Sequence, residues 1–170
     1  MVPLFLYQFL FICLTPIWLV LFIVRLCRGK EDIHRFRERL GFAGHPKPDG
    51  DLILMHGASV GECLSMLPLI RKLLQENPTL SIMVTSGTVT SANLMKQRLP
   101  ERAFHHYLPI DAPTFMVRLL KYYRPKAAFW FESEFWPTTL AAFSKCSVPL
   151  ILLNCRISDR SFRRWQRLPW

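Results

Sequence analysis

From Asp51 onward, short apolar runs alternate with segments whose apolar positions recur every three or four residues. Leu52–Met55 has the length and character of a buried strand. Glu62–Gln75 carries Leu64, Leu67, Leu69, Ile70, Leu73 and Leu74 at helical spacing and stops at Asn77-Pro78. The alternation continues with a strand at Leu80–Thr85 and a helix at Ser91–Leu99, closed by Pro100. Ala103–Leu108 reads as a strand, and Pro113–Tyr123 as a helix with proline in its first turn. Ala127–Phe131, Pro137–Phe143 and Pro149–Leu153 read as strand, helix and strand. Strands alternating with helices predict βαβ units. The fold class is therefore α/β, a Rossmann-like doubly wound parallel sheet. The chain has no internal repeat and no low-complexity segment.

The start of the chain follows a different pattern. Val2–Val24 is almost wholly apolar and uncharged. As one helix it would span roughly 35 Å, enough to cross a bilayer. Basic residues follow this run rather than precede it, and no small-x-small site follows it, so a cleaved leader fits less well than an uncleaved anchor. Lys/Arg excess marks the cytoplasmic side. The expectation is a single-pass anchor over residues 1–25 with Pro16 as a kink, a basic linker and hinge over 26–50, and a cytoplasmic domain over 51–170. Glu31–Leu40 reads as a charged helical linker ending at Gly41, and His45-Pro-Lys-Pro-Asp-Gly50 as a turn-rich hinge.

The formal charge of +10 points to an anionic partner. One basic cluster, Arg25, Arg28, Lys30, Arg35, Arg37 and Arg39, directly follows the apolar run, and a second, Arg156 to Arg167, closes the chain. RNP-like aromatics, zinc-finger spacing and a basic zipper are all missing, which argues against nucleic acid. The five cysteines are scattered and form no C-x-x-C, so they read as apolar residues in a reducing compartment.

Each predicted strand ends in a polar, small-residue turn: Gly57-Ala-Ser-Val-Gly61, Ser86-Gly-Thr-Val-Thr-Ser91, Pro109-Ile-Asp111, Glu132-Ser-Glu134 and Asn154-Cys-Arg156. In a parallel sheet all of them lie on the carboxyl edge, where ligands bind. That brings Ser59, Glu62, Ser86, Thr88, Asp111, Glu132, Glu134, Asn154 and Arg156 around one crevice. Two readings of Glu62 stand at this point, a cap on its helix or an acid/base at the crevice mouth. Asp111 reads equally as a turn and helix cap. Gly57-Ala-Ser-Val-Gly61 also satisfies the G-x-S-x-G elbow of serine hydrolases, but no acid and histidine follow in the order that triad needs. Glu132 and Glu134 alternate on one side of an extended segment. No His-x-x-x-His or Asp cluster accompanies them, so no metal site is expected.

Taken in series, these turns resemble one family. His56-Gly-Ala-Ser-Val-Gly-Glu62, Thr85-Ser-Gly-Thr-Val-Thr-Ser91, Tyr107-Leu-Pro-Ile-Asp111, Glu132-Ser-Glu-Phe-Trp-Pro137 and Leu153-Asn-Cys-Arg-Ile-Ser-Asp-Arg-Ser161 follow the order and spacing of the 3-deoxy-D-manno-octulosonic acid (Kdo) transferases. The apolar start, Arg37-Glu-Arg-Leu-Gly41 and the hinge resemble that family's beginning. The resemblance implies a GT-B glycosyltransferase acting without metal or other cofactor. It would transfer Kdo from CMP-Kdo to a lipid A precursor, with inversion, at the bacterial inner membrane in lipopolysaccharide biosynthesis. It implies Glu62 as general base and makes Glu132 and Glu134 its Glu-x-Glu pair. By position, Ser59, Gly61, Ser86, Thr88 and Arg156 become substrate contacts, and the basic stretch a holder of anionic headgroups. Family members are more than twice as long, so the nucleotide-binding domain is expected to be absent here. The chain would then be an acceptor-side half, inactive until a separate second half joins it. The alternative is a truncated, non-catalytic, membrane-anchored domain that binds lipid or protein.

Overall fold

The computed structural model describes residues 4–131 and 136–154, and residues 159 and 163 singly. The alternation read from the sequence forms as expected. Strands β1 (Asp51–His56), β2 (Leu80–Ser86), β3 (Ala103–Tyr107), β4 (Ala127–Phe131) and β5 (Leu150–Leu153) make one parallel sheet in the order β3-β2-β1-β4-β5. Helices α4 (Val60–Glu76), α5 (Val89–Arg98), α6 (Phe115–Tyr123) and α7 (Pro137–Lys145) connect them.

The period of two along the strands decides which helix covers which face. Leu52 and Leu54 of β1 join Met83, Trp130, Leu119, Leu120 and Phe143, in the core beneath α6 and α7. Met55 joins Met66, Ile70, Leu74, Ile82, Val84 and Met95, in the core beneath α4 and α5. Both faces of β1 and β2 are thus dry, which is why β2 is buried along its whole length and reads as a continuous apolar run. Each such buried Leu, Ile or Met contributes about 1.5–3 kcal/mol relative to exposure.

β1 pairs with β2 on one side and with β4 on the other. The winding direction therefore reverses between β1 and β4. A crevice opens at such a reversal beyond the carboxyl ends. The turn after β1, which carries Glu62, lies at this point.

The apolar start is broken more sharply than the single kinked span expected. It forms two helices, α1 (Leu4–Cys13) and α2 (Thr15–Cys27), bent by 61° with Leu14 at the break, and no single helix among the described residues is long and apolar enough to cross a membrane. Pro16 is the cause. It lies in the first turn of α2, lacks an N–H, and cannot donate to the carbonyl one turn back. Neither helix has a buried residue, and large side chains such as Phe5, Phe9, Trp18 and Ile23 are exposed. α1 returns to the domain, where the Tyr7 hydroxyl donates to Asp111 Oδ2 at 2.9 Å.

The charged stretch after α2 packs onto the sheet. Glu38 and Arg39, in the short helix α3 (Phe36–Arg39), are 4% and 8% exposed. Glu38 accepts two bonds from Arg35, at 2.7 and 2.8 Å, and one from the Tyr107 N–H at 2.7 Å. Arg39 donates to Gly87 O at 2.7 Å, Leu108 O at 3.3 Å and Glu31 at 3.0 Å. The Tyr107 ring lies against both guanidinium groups, at 4.6 Å from Arg35 and 4.5 Å from Arg39. Three of the six arginines and lysines in this cluster are therefore committed to internal carboxylates: Arg25 and Arg39 to Glu31, and Arg35 to Glu38.

Candidate active site

At the end of β1 the chain makes a tight turn. Gly57 is buried, and a Cβ there would come within 2.8 Å of Met66 Cε, 3.1 Å of Glu62 Cβ and 3.2 Å of Cys63 N. Only glycine lets the turn lie this close to the first turn of α4. Ser59 then caps the helix, with extended φ and ψ, and its Oγ accepts from the Glu62 N–H at 3.2 Å.

Glu62 answers the cap. Its Oε1 accepts from Ser59 Oγ–H at 2.8 Å and its Oε2 from the Ala58 N–H at 2.7 Å. This is close to a capping box, with the carboxylate reaching one residue further back than usual. The cap reading of Glu62 is thus met, and the same bonds fix the direction of its carboxylate. Each oxygen has one bond from the turn, and a carboxylate has about four acceptor positions. The half-buried group keeps acceptor capacity for a further donor at the crevice.

The other expected residues fall into different settings. Gly61 is exposed at the second position of α4, and a Cβ there would meet only Ser59 Oγ, at 3.9 Å. Gly87, after β2, would meet nothing within 4 Å. Neither glycine has a positive φ, so neither packing nor backbone conformation requires glycine there. Both leave bare backbone at helix N-termini on the crevice edge. Thr88 is exposed and caps α5, accepting from the Ser91 N–H at 3.1 Å. Ser86 is fully buried, with its Oγ 2.8 Å from His105 Nε2. The Arg35 guanidinium donates toward His105 Nδ1 at 3.1 Å, which leaves the His105 proton on Nε2 and makes Ser86 the acceptor. Burial, and then the Arg35 charge, lower the His105 pKa to about 3. Glu132, Glu134 and Arg156 lie outside the described residues.

Asp111 caps a helix other than its own. The helix that follows it, α6, begins at Thr114 without a side-chain cap. Asp111 instead accepts from the backbone N–H groups of Thr138 (3.2 Å) and Thr139 (2.6 Å), and from Thr139 Oγ1 (2.7 Å), at the start of α7. Together with Tyr7 this gives a 7%-exposed carboxylate four donors. A sequence window cannot show a cap across 27 residues, but an Asp between two prolines, 26 residues before a helix that starts with Pro-Thr-Thr and has Trp136 at its own cap position, was the available signal.

His56 is fully buried where β1 meets β4, its Nδ1 3.0 Å from Thr85 Oγ1 and its ring 4.0 Å from Trp130. Burial lowers its pKa to about 3, so it is a neutral packing residue beneath the turn. Cys63, beside Glu62, is buried with its thiol directed at Gly57 O, and burial pushes its pKa up to about 11. Cys13, Cys27, Cys63 and Cys146 are free thiols. Among the described residues no group of three His, Cys, Asp or Glu side chains is placed to hold a metal.

Comparison with known proteins gives this geometry a family. Residues 34–170 match the model described as 3-Deoxy-D-manno-octulosonic-acid transferase (kdotransferase). A 3-deoxy-D-manno-octulosonic acid transferase of Rickettsia bellii is 39% identical over 163 residues, covering 95% of this chain and 38% of that protein. A probable mitochondrial one of Arabidopsis thaliana is 37% identical over 141 residues, covering 83% of this chain and 32% of that protein. The chain thus spans less than half the length of the curated relatives it matches. Among solved structures, Phytolacca americana UGT2 bound to UDP-2fluoro-glucose and pterostilbene aligns at TM-score 0.45 and 15% identity, over 65% of this chain and 31% of that one. With four-fifths of its length matched by the family model, the chain belongs to the 3-deoxy-D-manno-octulosonic-acid transferase family.

Proposed function

We propose that this chain supplies the acceptor-side half of an inverting GT-B Kdo transferase, moving Kdo from CMP-Kdo to a lipid A precursor in lipopolysaccharide biosynthesis. The observation that carries the reading is the double hold on Glu62 by Ala58 N–H and Ser59 Oγ at the point where the sheet's winding reverses. In this reading an acceptor sugar hydroxyl donates to Glu62. Its oxygen attacks the anomeric carbon of Kdo as Glu62 takes the proton, and the bond to the CMP phosphate breaks with its electron pair leaving on CMP. Direct transfer needs the hydroxyl within hydrogen-bond reach of the carboxylate. A carboxylate already fixed in direction has little reorganisation left to do.

Gly61 and Gly87 leave room for substrate against the backbone, with Ser59, Thr88 and Arg156 as side-chain contacts. Ser86 acts from beneath, through His105. In this reading Glu132 and Glu134 serve as the family's Glu-x-Glu pair. No metal or other cofactor takes part in this chemistry. CMP-Kdo would be held mostly by a second domain, and the chain alone would be inactive. The bent apolar pair α1–α2 would seat the protein at the inner membrane, with the sheet on the cytoplasmic side.

The test is transfer in detergent, read by mass spectrometry of the lipid product. The chain alone should give none. The chain supplied with a Kdo transferase second domain should add Kdo. Absence of product in both samples, with the domain pair shown to associate, would overturn the reading.

A further inference from the structure

A cavity of about 420 Å³ lies between α3, the turn at residues 41–44 and α6, and includes Arg35, Arg37, Glu38, Phe42, Arg118 and Tyr122 in its lining. No residue of the Glu62 turn or the Thr88 turn takes part in it. Its size falls in the range of small-molecule sites.

Its charge is not balanced from within. Glu38 is the carboxylate of the lining, and it is already met by Arg35 and by the Tyr107 N–H. Among the described residues no carboxylate pairs with Arg37 or Arg118. Both guanidinium groups lie by the same Phe42 ring, 5.1 Å and 4.2 Å from its centroid. Both also line this cavity, so a ligand filling it meets both. Arg118 is held in place, donating to Leu40 O at 2.6 Å, with the rest of its fork unused. Gly41 closes the turn at φ 77°, where a Cβ would strike the Phe115 carbonyl, so the turn is held tightly against α6.

Two planar guanidinium forks in one cavity suit a phosphate oxygen cluster better than a single carboxylate does. The cavity also adjoins the apolar start of the chain, since Phe36 of α3 packs on Phe22 of α2 at 4.5 Å. A ligand presented at a lipid surface would arrive here. We propose that this cavity binds a phosphate monoester headgroup of a membrane lipid, with Arg37 and Arg118 as the paired contacts. The lipid assignment rests on the membrane seating proposed above but not on the transfer chemistry, and vesicle binding reads it without any transfer.

The test uses the full chain with phosphatidylcholine vesicles carrying either phosphatidic acid, a monoester, or phosphatidylglycerol, a diester, matched in surface potential. Binding to the phosphatidic acid vesicles should be tighter, and Arg37→Gln with Arg118→Gln should weaken it about tenfold, roughly 1.4 kcal/mol. Lys96→Gln with Arg98→Gln, exposed at the end of α5 and outside the cavity, should change it no more than twofold, a minor long-range effect. If Arg118→Gln fails to fold for want of its Leu40 bond, Arg37→Gln alone, at an exposed side chain, should still show a severalfold loss on the monoester. Equal losses on both lipids, or an equal loss from the control pair, would overturn the proposal. A second arm measures glycerol 3-phosphate binding to the detergent-solubilised chain. Binding there as tight as to vesicles, and equally sensitive to Arg37→Gln, would assign the site to soluble phosphate esters and overturn the lipid assignment.

Discussion

Ser59 and Glu62 bond each other twice across one turn: Ser59 Oγ donates to Glu62 Oε1 at 2.8 Å and accepts from the Glu62 N–H at 3.2 Å. A helix cap and the aim of the proposed base are therefore the same structure. Ser59→Ala should lower stability by about 1 kcal/mol through the lost cap. It should lower transfer by more than that loss of folded protein explains, because Glu62 keeps only its Ala58 bond. Denaturant unfolding and initial rates on the same samples separate the two effects.

The glycines of the same turn should part company when given a methyl group. Gly57→Ala meets Met66, Glu62 and Cys63 within 3.2 Å and should destabilise the fold by about 1–3 kcal/mol. Gly61→Ala lies in a helix with open space around it and should stabilise by about 0.5–1 kcal/mol. If substrate approaches this backbone, the more stable Gly61→Ala protein should still transfer less. Thermal melts beside activity assays read both changes.

Asp111 joins the apolar start to the domain. Asp111→Ala would leave the Thr138 and Thr139 N–H groups without their acceptor, and should cost about 2–4 kcal/mol. Tyr7→Phe removes a single bond and should cost about 1 kcal/mol or less. Its clearer effect should be faster proteolytic cleavage between α1 and the domain, with the sheet itself still protected.

Acid should weaken the fold through buried histidines. His56 and His105 have ordinary values of 6.5, lowered to about 3 in the folded chain, in both cases chiefly by burial. Between those values the unfolded chain binds more protons than the folded one. The stability they protect is therefore fully present above about pH 6.5 and is lost as pH falls toward 3, by up to about 1.4 kcal/mol per pH unit for each histidine. Urea midpoints from pH 7 to 4 should fall accordingly. His105→Asn should flatten the slope even though it lowers stability at pH 7.

What the sequence made legible follows from how local each cause is. The short apolar run Leu52–Met55 and the helical spacing of Leu67, Ile70 and Leu74 are local, and the strands and helices they predict formed within a few residues of their expected ends. The cap by Ser59 is also local, three residues from Glu62. The break at Leu14 was visible as Pro16, but its 61° size depends on where α1 docks, and that contact spans 104 residues from Tyr7 to Asp111. Glu38 and Arg39 read as linker charge because a window cannot show that Tyr107 and Gly87 supply their partners. The same limit made Ser86 look like an open turn residue, although His105 on the neighbouring strand covers it.

The most direct test of the account is Glu62→Gln in the chain supplied with a Kdo transferase second domain. Glutamine keeps the size and can still accept from Ala58 N–H or Ser59 Oγ, but it cannot take a proton as a carboxylate does. The account predicts that Kdo transfer from CMP-Kdo falls about 100-fold or more, with folding and lipid binding unchanged. Transfer within a few fold of the unaltered chain would contradict it.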